Sequence, residues 1–206
     1  MTHTLHRRGS ADDLREDFVV FSMAAKTVNR QGADKKMQKF FEIVEKYQPV
    51  NYGDMKTGNS IDVPRDVIHN EIRDTSIVHF VFTDKAVVGQ VLKELAAAEL
   101  GPSVVVSGCI DDIVELCKEA GINPVHTVEY SGGIHGRLEL LHDEPVLEIT
   151  TMCGHGLVAG NLVKEMVEQV RKKRKTLQEA GIELARPCQC GVFNPKRAER
   201  LLEKLL

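Results

Sequence analysis

The run Ile77-Val-His-Phe-Val-Phe82 constrains this chain more than any other stretch. A strand with one wet face alternates apolar and polar residues, whereas a strand covered on both faces is apolar almost throughout. Only His79 interrupts this run, so a layer of structure is expected on each side of it. The flanking sequence supplies helices for that purpose. Thr83-Asp84 offers a cap, and Val87, Val88, Val91, Leu92 and Leu95 then share one side of a helix ending near Gly101-Pro102. Ser103-Val-Val-Val-Ser-Gly108 reads as a second strand. Asp111-Asp112 opens a helix carrying Ile113, Val114, Leu116 and Cys117, closed by Gly121, and Val125 to Tyr130 reads as a third strand. This β-α-β-α-β pattern over 76–130 predicts an α/β fold with a parallel or mixed sheet flanked by helices.

The remaining sequence fits around that core as one domain. Residues 1–60 form an N-terminal extension with a short helix capped at Ser10 and an apolar strand from Phe18 to Met23. A helix opens at Gly32-Ala-Asp34 and turns Met37, Phe40, Phe41, Val44 and Tyr47 to one face. Asn51 to Asp62 is polar and glycine-bearing and reads as a long loop. The α/β core over 76–150 ends in an expected hairpin, Arg137–Leu141 with Val146–Thr150. Residues 151–206 read as a helical segment: a long helix from Gly156 to Lys175, a second from Thr176 to Leu184 stopped by Pro187, and a terminal helix over Lys196–Leu206. Asn194 would cap that last helix, with Pro195 in its first turn.

Composition excludes several classes. The chain has 206 residues, 42% hydrophobic and 28% charged, enough to bury a core without disulfides. Its net charge of −3 does not suit a nucleic-acid binder. The basic run Arg171–Lys175 reads as a solvated helix end. No stretch of 18 apolar residues predicts a membrane span, and the first residues lack the apolar core of an export signal. A cytoplasmic, reducing setting is therefore expected. The five cysteines are then better read as thiols, metal ligands or a nucleophile than as a disulfide framework.

Two glycine-flanked motifs concentrate the soft donors. Cys153-Gly-His155 and Cys188-Gln-Cys190 together supply three thiols and an imidazole, a donor set used by zinc and compatible with an iron–sulfur cluster. The single-residue spacers are tighter than those of most structural zinc sites. The expectation is a metal centre formed by Cys153, His155, Cys188 and Cys190, in a small-molecule enzyme or a factor that assembles a metal cofactor. A non-catalytic subunit or scaffold with a structural zinc site is the first alternative. The second is a metal-free enzyme with Cys153 as nucleophile. If Cys153 lay just before a long helix, its thiolate would be stabilised, with His155 as proton partner.

Other candidates are weaker. Cys109 follows a strand end, where ligands gather in open α/β sheets, and could join the catalytic set. Cys117 reads as core. His126 and His135 flank Tyr130-Ser-Gly-Gly133, and with Arg137 they could hold an anionic group. His3 and His6 are spaced as a pair in what reads as a solvated tail. Neither a P-loop nor a dinucleotide fingerprint is present. The expected ligand is a small-molecule substrate or a partner protein, with homo-oligomer formation left open.

Overall fold

The computed structural model describes residues 4–122 and 124–206, so His3 lies outside the described residues. After the short helix α1 (Ala11–Leu14), capped by the Ser10 hydroxyl, the chain enters β1 (Phe18–Met23). Helix α2 (Ala33–Glu45) leads to β2 (Asn51–Asp54), β3 (Gly58–Asn59) and α3 (Arg65–Asn70). Then come β4 (Ile77–Phe82), α4 (Lys85–Ala98), β5 (Ser103–Ser107) and α5 (Ile110–Glu119). The C-terminal part holds α6 (Glu144–Thr150), α7 (Gly160–Arg171), α8 (Leu177–Ala185) and α9 (Pro195–Glu203). The mixed α/β, single-domain class expected from the sequence is the one observed.

The strand order is β3-β2-β4-β1-β5, and every neighbouring pair is antiparallel. Strands β4 and β5 do run parallel, as a strand–helix–strand unit requires, but β1 inserts between them and pairs with both. With β1-α2-β2 as the matching first half, the connectivity is a split β-α-β-β-α-β arrangement. The unbroken apolar runs thus report burial on two faces, not strand direction.

Alternate residues of β1 show why both faces are apolar. Phe18 and Val20 enter one core with Met37, Phe40 and Phe41 of α2, Ile68 of α3 and Val88 and Val91 of α4. Val19 and Phe21 enter the other, with Val163 of α7, Leu184 of α8 and Leu202 of α9. The sheet is therefore the middle of three layers. His79 is wholly buried, and its ring lies 5.2 Å from that of Phe21.

Four local expectations change. Asn51–Asp62 is a tight β2–β3 hairpin at the sheet edge, not a loop; its partner strand β4 could not be inferred from its polar composition. Val125–Tyr130 is not a strand but exposed coil, because its β-branched residues meet no neighbouring ladder here. The expected hairpin is also absent: Leu138–Leu140 is a 3-10 turn and 144–150 is helical, with Pro145 placed in the first turn, where its missing N–H costs nothing. The helix expected from Gly156 starts only at Gly160, because Gly156 adopts φ +68 and the chain turns there.

A buried ion network ties the two ends of the chain together. Arg197 of α9 is fully buried and donates to Asp13 at 2.7 Å, Asp17 at 3.0 Å and the Arg8 carbonyl at 2.6 Å. Asn194 caps α9 and donates to the other Asp17 oxygen at 3.0 Å. Arg7 also donates to Asp17 and to the Val192 carbonyl. Removing a partner from a desolvated pair leaves an uncompensated charge. Arg197→Met is expected to cost about 3–5 kcal/mol in urea denaturation, whereas Arg171→Met at the exposed end of α7 should change stability by less than about 0.5 kcal/mol.

Candidate metal centre

The turn after α6 carries Cys153 and His155, and the loop between α8 and α9 carries Cys188 and Cys190. These stretches meet in the layer formed by the C-terminal helices, where Cys190 and His155, 35 residues apart in sequence, come into contact, and the three cysteines join the core that packs on Val19, Phe21 and Val81. All three cysteines are buried. The Cys188 thiol is near enough to both Cys153 and Cys190 for each of them to shift its ionisation. His155 is exposed, and its Nδ1 lies 3.7 Å from the Cys190 sulfur.

Backbone N–H groups surround the sulfurs. Those of His155 and Leu157 donate to Cys153, that of Phe193 to Cys188, and that of Val192 to Cys190. The left-handed Gly191 (φ +73) bends the Cys188–Asn194 loop. Amide donors of this kind stabilise a thiolate and tune a metal bound by it.

The β2–β3 hairpin holds the loop in place. Asn51 donates to the Phe193 carbonyl at 2.9 Å, and Asn59 to the carbonyls of Arg186 and Cys188, each at 3.1 Å. A Cβ on Gly191 would stand 2.4 Å from the Tyr52 carbonyl carbon and oxygen, so the loop touches strand β2 backbone to backbone. Asn51, Asn59 and Gly191 are supporting residues that the spacing of the cysteines could not reveal. Their signal was present only as buried amides in a polar stretch.

The thiols do not titrate alike. The hydrogen bond with Cys188, followed by burial, pushes Cys153 far above the ordinary thiol range. Cys188 is favoured as a thiolate by Cys153, but the opposing bond to Cys190 and burial prevail, and it is pushed up to about 12. Cys190 is lowered, chiefly by the hydrogen bond it receives from Cys188. The expected activation of Cys153 by a following helix is therefore reversed. That thiol sits in a turn, not at a helix start, and Cys190 is the one inclined to ionise.

A cleft of about 470 Å³ opens beside the cluster, with Cys153, Gly154 and Gly156 in its wall and His6, His142, Thr151 and Asn161 among its other lining residues. His6, expected in a loose tail, is held there because Arg7 binds Asp17 and Arg8 binds Glu144 and the Thr151 hydroxyl. The other candidates stand elsewhere. Cys109 stands just before α5 without a capping hydrogen bond and donates to the Ala11 carbonyl at 3.9 Å, with its thiol raised by burial. Cys117 is buried in the opposite core. His126, His135 and Arg137 are exposed in the 124–141 segment, where His135 contacts the Gly132 carbonyl and Arg137 pairs with Glu139; none of them lines the cleft. A wider depression of about 630 Å³ beside Arg15, Lys85, Lys196 and Arg200 contains no thiol or imidazole, and those four cations are paired with carboxylates.

Among the described residues, no three His, Cys, Asp or Glu side chains are already arranged as a metal cage. A metal would need the thiols deprotonated and turned toward a common point. Among the same residues, no helix is long and apolar enough to cross a membrane. Comparison with known protein families, curated proteins and solved structures finds no match to this chain.

The backbone contact at Gly191 leaves no room for a side chain. Gly191→Ala is expected to cost about 2–3 kcal/mol through overpacking and a strained positive φ. It should also expose Cys188 and Cys190 to a thiol reagent such as dithionitrobenzoate under native conditions. Unchanged thiol accessibility in that variant would show that the contact does not hold the loop.

Proposed function

We propose that this chain binds a thiophilic metal, with zinc the first assignment, through Cys153, Cys188, Cys190 and His155, and that the centre serves a small-molecule reaction or the assembly of a metal cofactor. The observation that carries this reading is the convergence of three buried thiols from two distant stretches, each sulfur receiving a backbone N–H. Three thiolates and one imidazole form a donor set that zinc uses. When bound, zinc would supply a Lewis acid able to polarise a substrate oxygen, at a position opened by exchange of the exposed His155 or by expansion to five donors. The chain's own contribution is to hold the sulfurs in a dry layer, orient them through the amides, and leave the Cys153 side facing a cleft. That cleft favours a working centre over a purely structural knot, which would be closed on all sides. An iron–sulfur cluster on the same residues is the variant that metal analysis distinguishes.

One observation favours a second reading, a thiol-redox centre without metal. Cys188 interacts with both other cysteines and lowers the pKa of Cys190, which favours a thiolate there, the form that attacks in thiol exchange.

Protein purified anaerobically should contain one equivalent of zinc per chain by elemental analysis. Cys188→Ser should retain less than roughly a tenth of it, since three donors no longer close the site, while Cys117→Ser should keep it all. Iron with a visible charge-transfer band would assign the cluster instead. A metal-free protein unable to take up zinc would leave the redox reading. Because Cys153 and Cys188 stay protonated at neutral pH, adding zinc to reduced, metal-free protein should release about two to three protons per metal, and its affinity should rise with pH. A pH indicator in weakly buffered solution reads the release, and none would be seen if the thiols are not the ligands.

A further inference from the structure

The wall of the cleft beside Cys153 has a definite chemical sign. It contains two imidazoles, two threonine hydroxyls and an asparagine amide, and no carboxylate. Its glycines leave space: a Cβ at Gly156 would meet nothing within 4 Å, whereas one at Gly160 would stand 2.5 Å from the His142 ring, so that ring seats against bare backbone. His6 comes from the opposite end of the sequence and is fixed by its neighbours. Arg7 is anchored on Asp17 and the Val192 carbonyl, in the loop that follows Cys190. Arg8 is anchored on Glu144 at the start of α6, and its N–H donates to the Thr151 hydroxyl at 3.1 Å. The same strap therefore grips both stretches that carry the cysteines and delivers an imidazole to the cleft on the Cys153 stretch.

We infer that this cleft admits a small anionic ligand to the metal centre on its Cys153 side, with His6 and His142 as the residues that hold it. An imidazole offers an N–H in either tautomer and a positive charge once protonated, and the Thr150 hydroxyl and Asn161 amide add donors, whereas the Thr151 hydroxyl already donates to the Leu147 carbonyl at 2.6 Å. With no acid in the wall, a cation gains nothing there and an anion meets no repulsion. The inference rests on the metal reading above and deepens it, because it assigns the class of molecule and the side of approach.

Azide is a suitable probe, and cobalt a suitable reporter, since a Co²⁺–thiolate site absorbs visibly. The full chain is loaded with Co²⁺ and titrated with azide while the visible spectrum is recorded. A saturable change in the d–d bands is expected, and in His6→Ala/His142→Ala the half-saturating azide concentration should rise about tenfold, the cost of losing one or two charge-assisted hydrogen bonds. Both residues are exposed, and the far-UV dichroism of the variant should match the parent. His126→Ala, outside the cleft, should titrate as the parent does. A cobalt–thiolate spectrum that azide leaves unchanged, or a response equal in parent and double variant, overturns the inference while leaving the metal centre intact. Failure to form any cobalt–thiolate band overturns the metal reading, and this inference falls with it.

Discussion

A fully buried arginine organises the part of this protein that matters most. Arg197 cannot leave water without compensation, and it finds two carboxylates and a carbonyl from residues 8–17. That requirement brings the N-terminal strap across the C-terminal helices. It fixes the start of α9 and, through Asn194 and Arg7, the loop that follows Cys190. The cysteine cluster depends on this closure, because its two halves lie on separate turns. Neither turn is long enough to define the position of a thiol by itself.

The sheet contributes in a second way. Its edge hairpin does not face solvent as an idle loop would; its buried asparagines satisfy three carbonyls of the 186–193 segment. A loop buried against a sheet must find partners for its backbone polar groups. Asn51 and Asn59 supply them, and Gly191 permits the close approach. The rigidity of the cluster is thus borrowed from the central layer, and the amides trained on the sulfurs are a consequence of a loop that cannot relax outward.

The thiols behave as a coupled set. Burial and mutual hydrogen bonding keep Cys153 and Cys188 protonated, while the same bonds favour charge on Cys190. The exposed His155 and the cleft beside Cys153 bring solvent to one end of the cluster, while Cys188 and Cys190 stay buried. Such asymmetry suits a centre that exchanges something with solvent better than one that only fastens helices.

Local sequence determined most of the elements. The apolar runs of β1 and β4, the Asp84 and Asn194 caps and the Gly121 stop are short-range signals, and each is realised where the residues place it. Sequence also singled out Cys153, His155, Cys188 and Cys190, because glycine-flanked soft donors are uncommon. What it could not determine is anything that depends on a distant partner. Strand direction, the hairpin at 51–59, the coil at 125–130 and the helix at 144–150 were settled by which surfaces were available to pair or bury. The place of His6, the support from Asn51 and Asn59, and the order of the thiol acidities likewise arise from contacts across more than a hundred residues of chain or between separate turns. Period and propensity describe a segment alone, whereas hydrogen-bond satisfaction, charge compensation and sulfur acidity belong to the assembled tertiary structure.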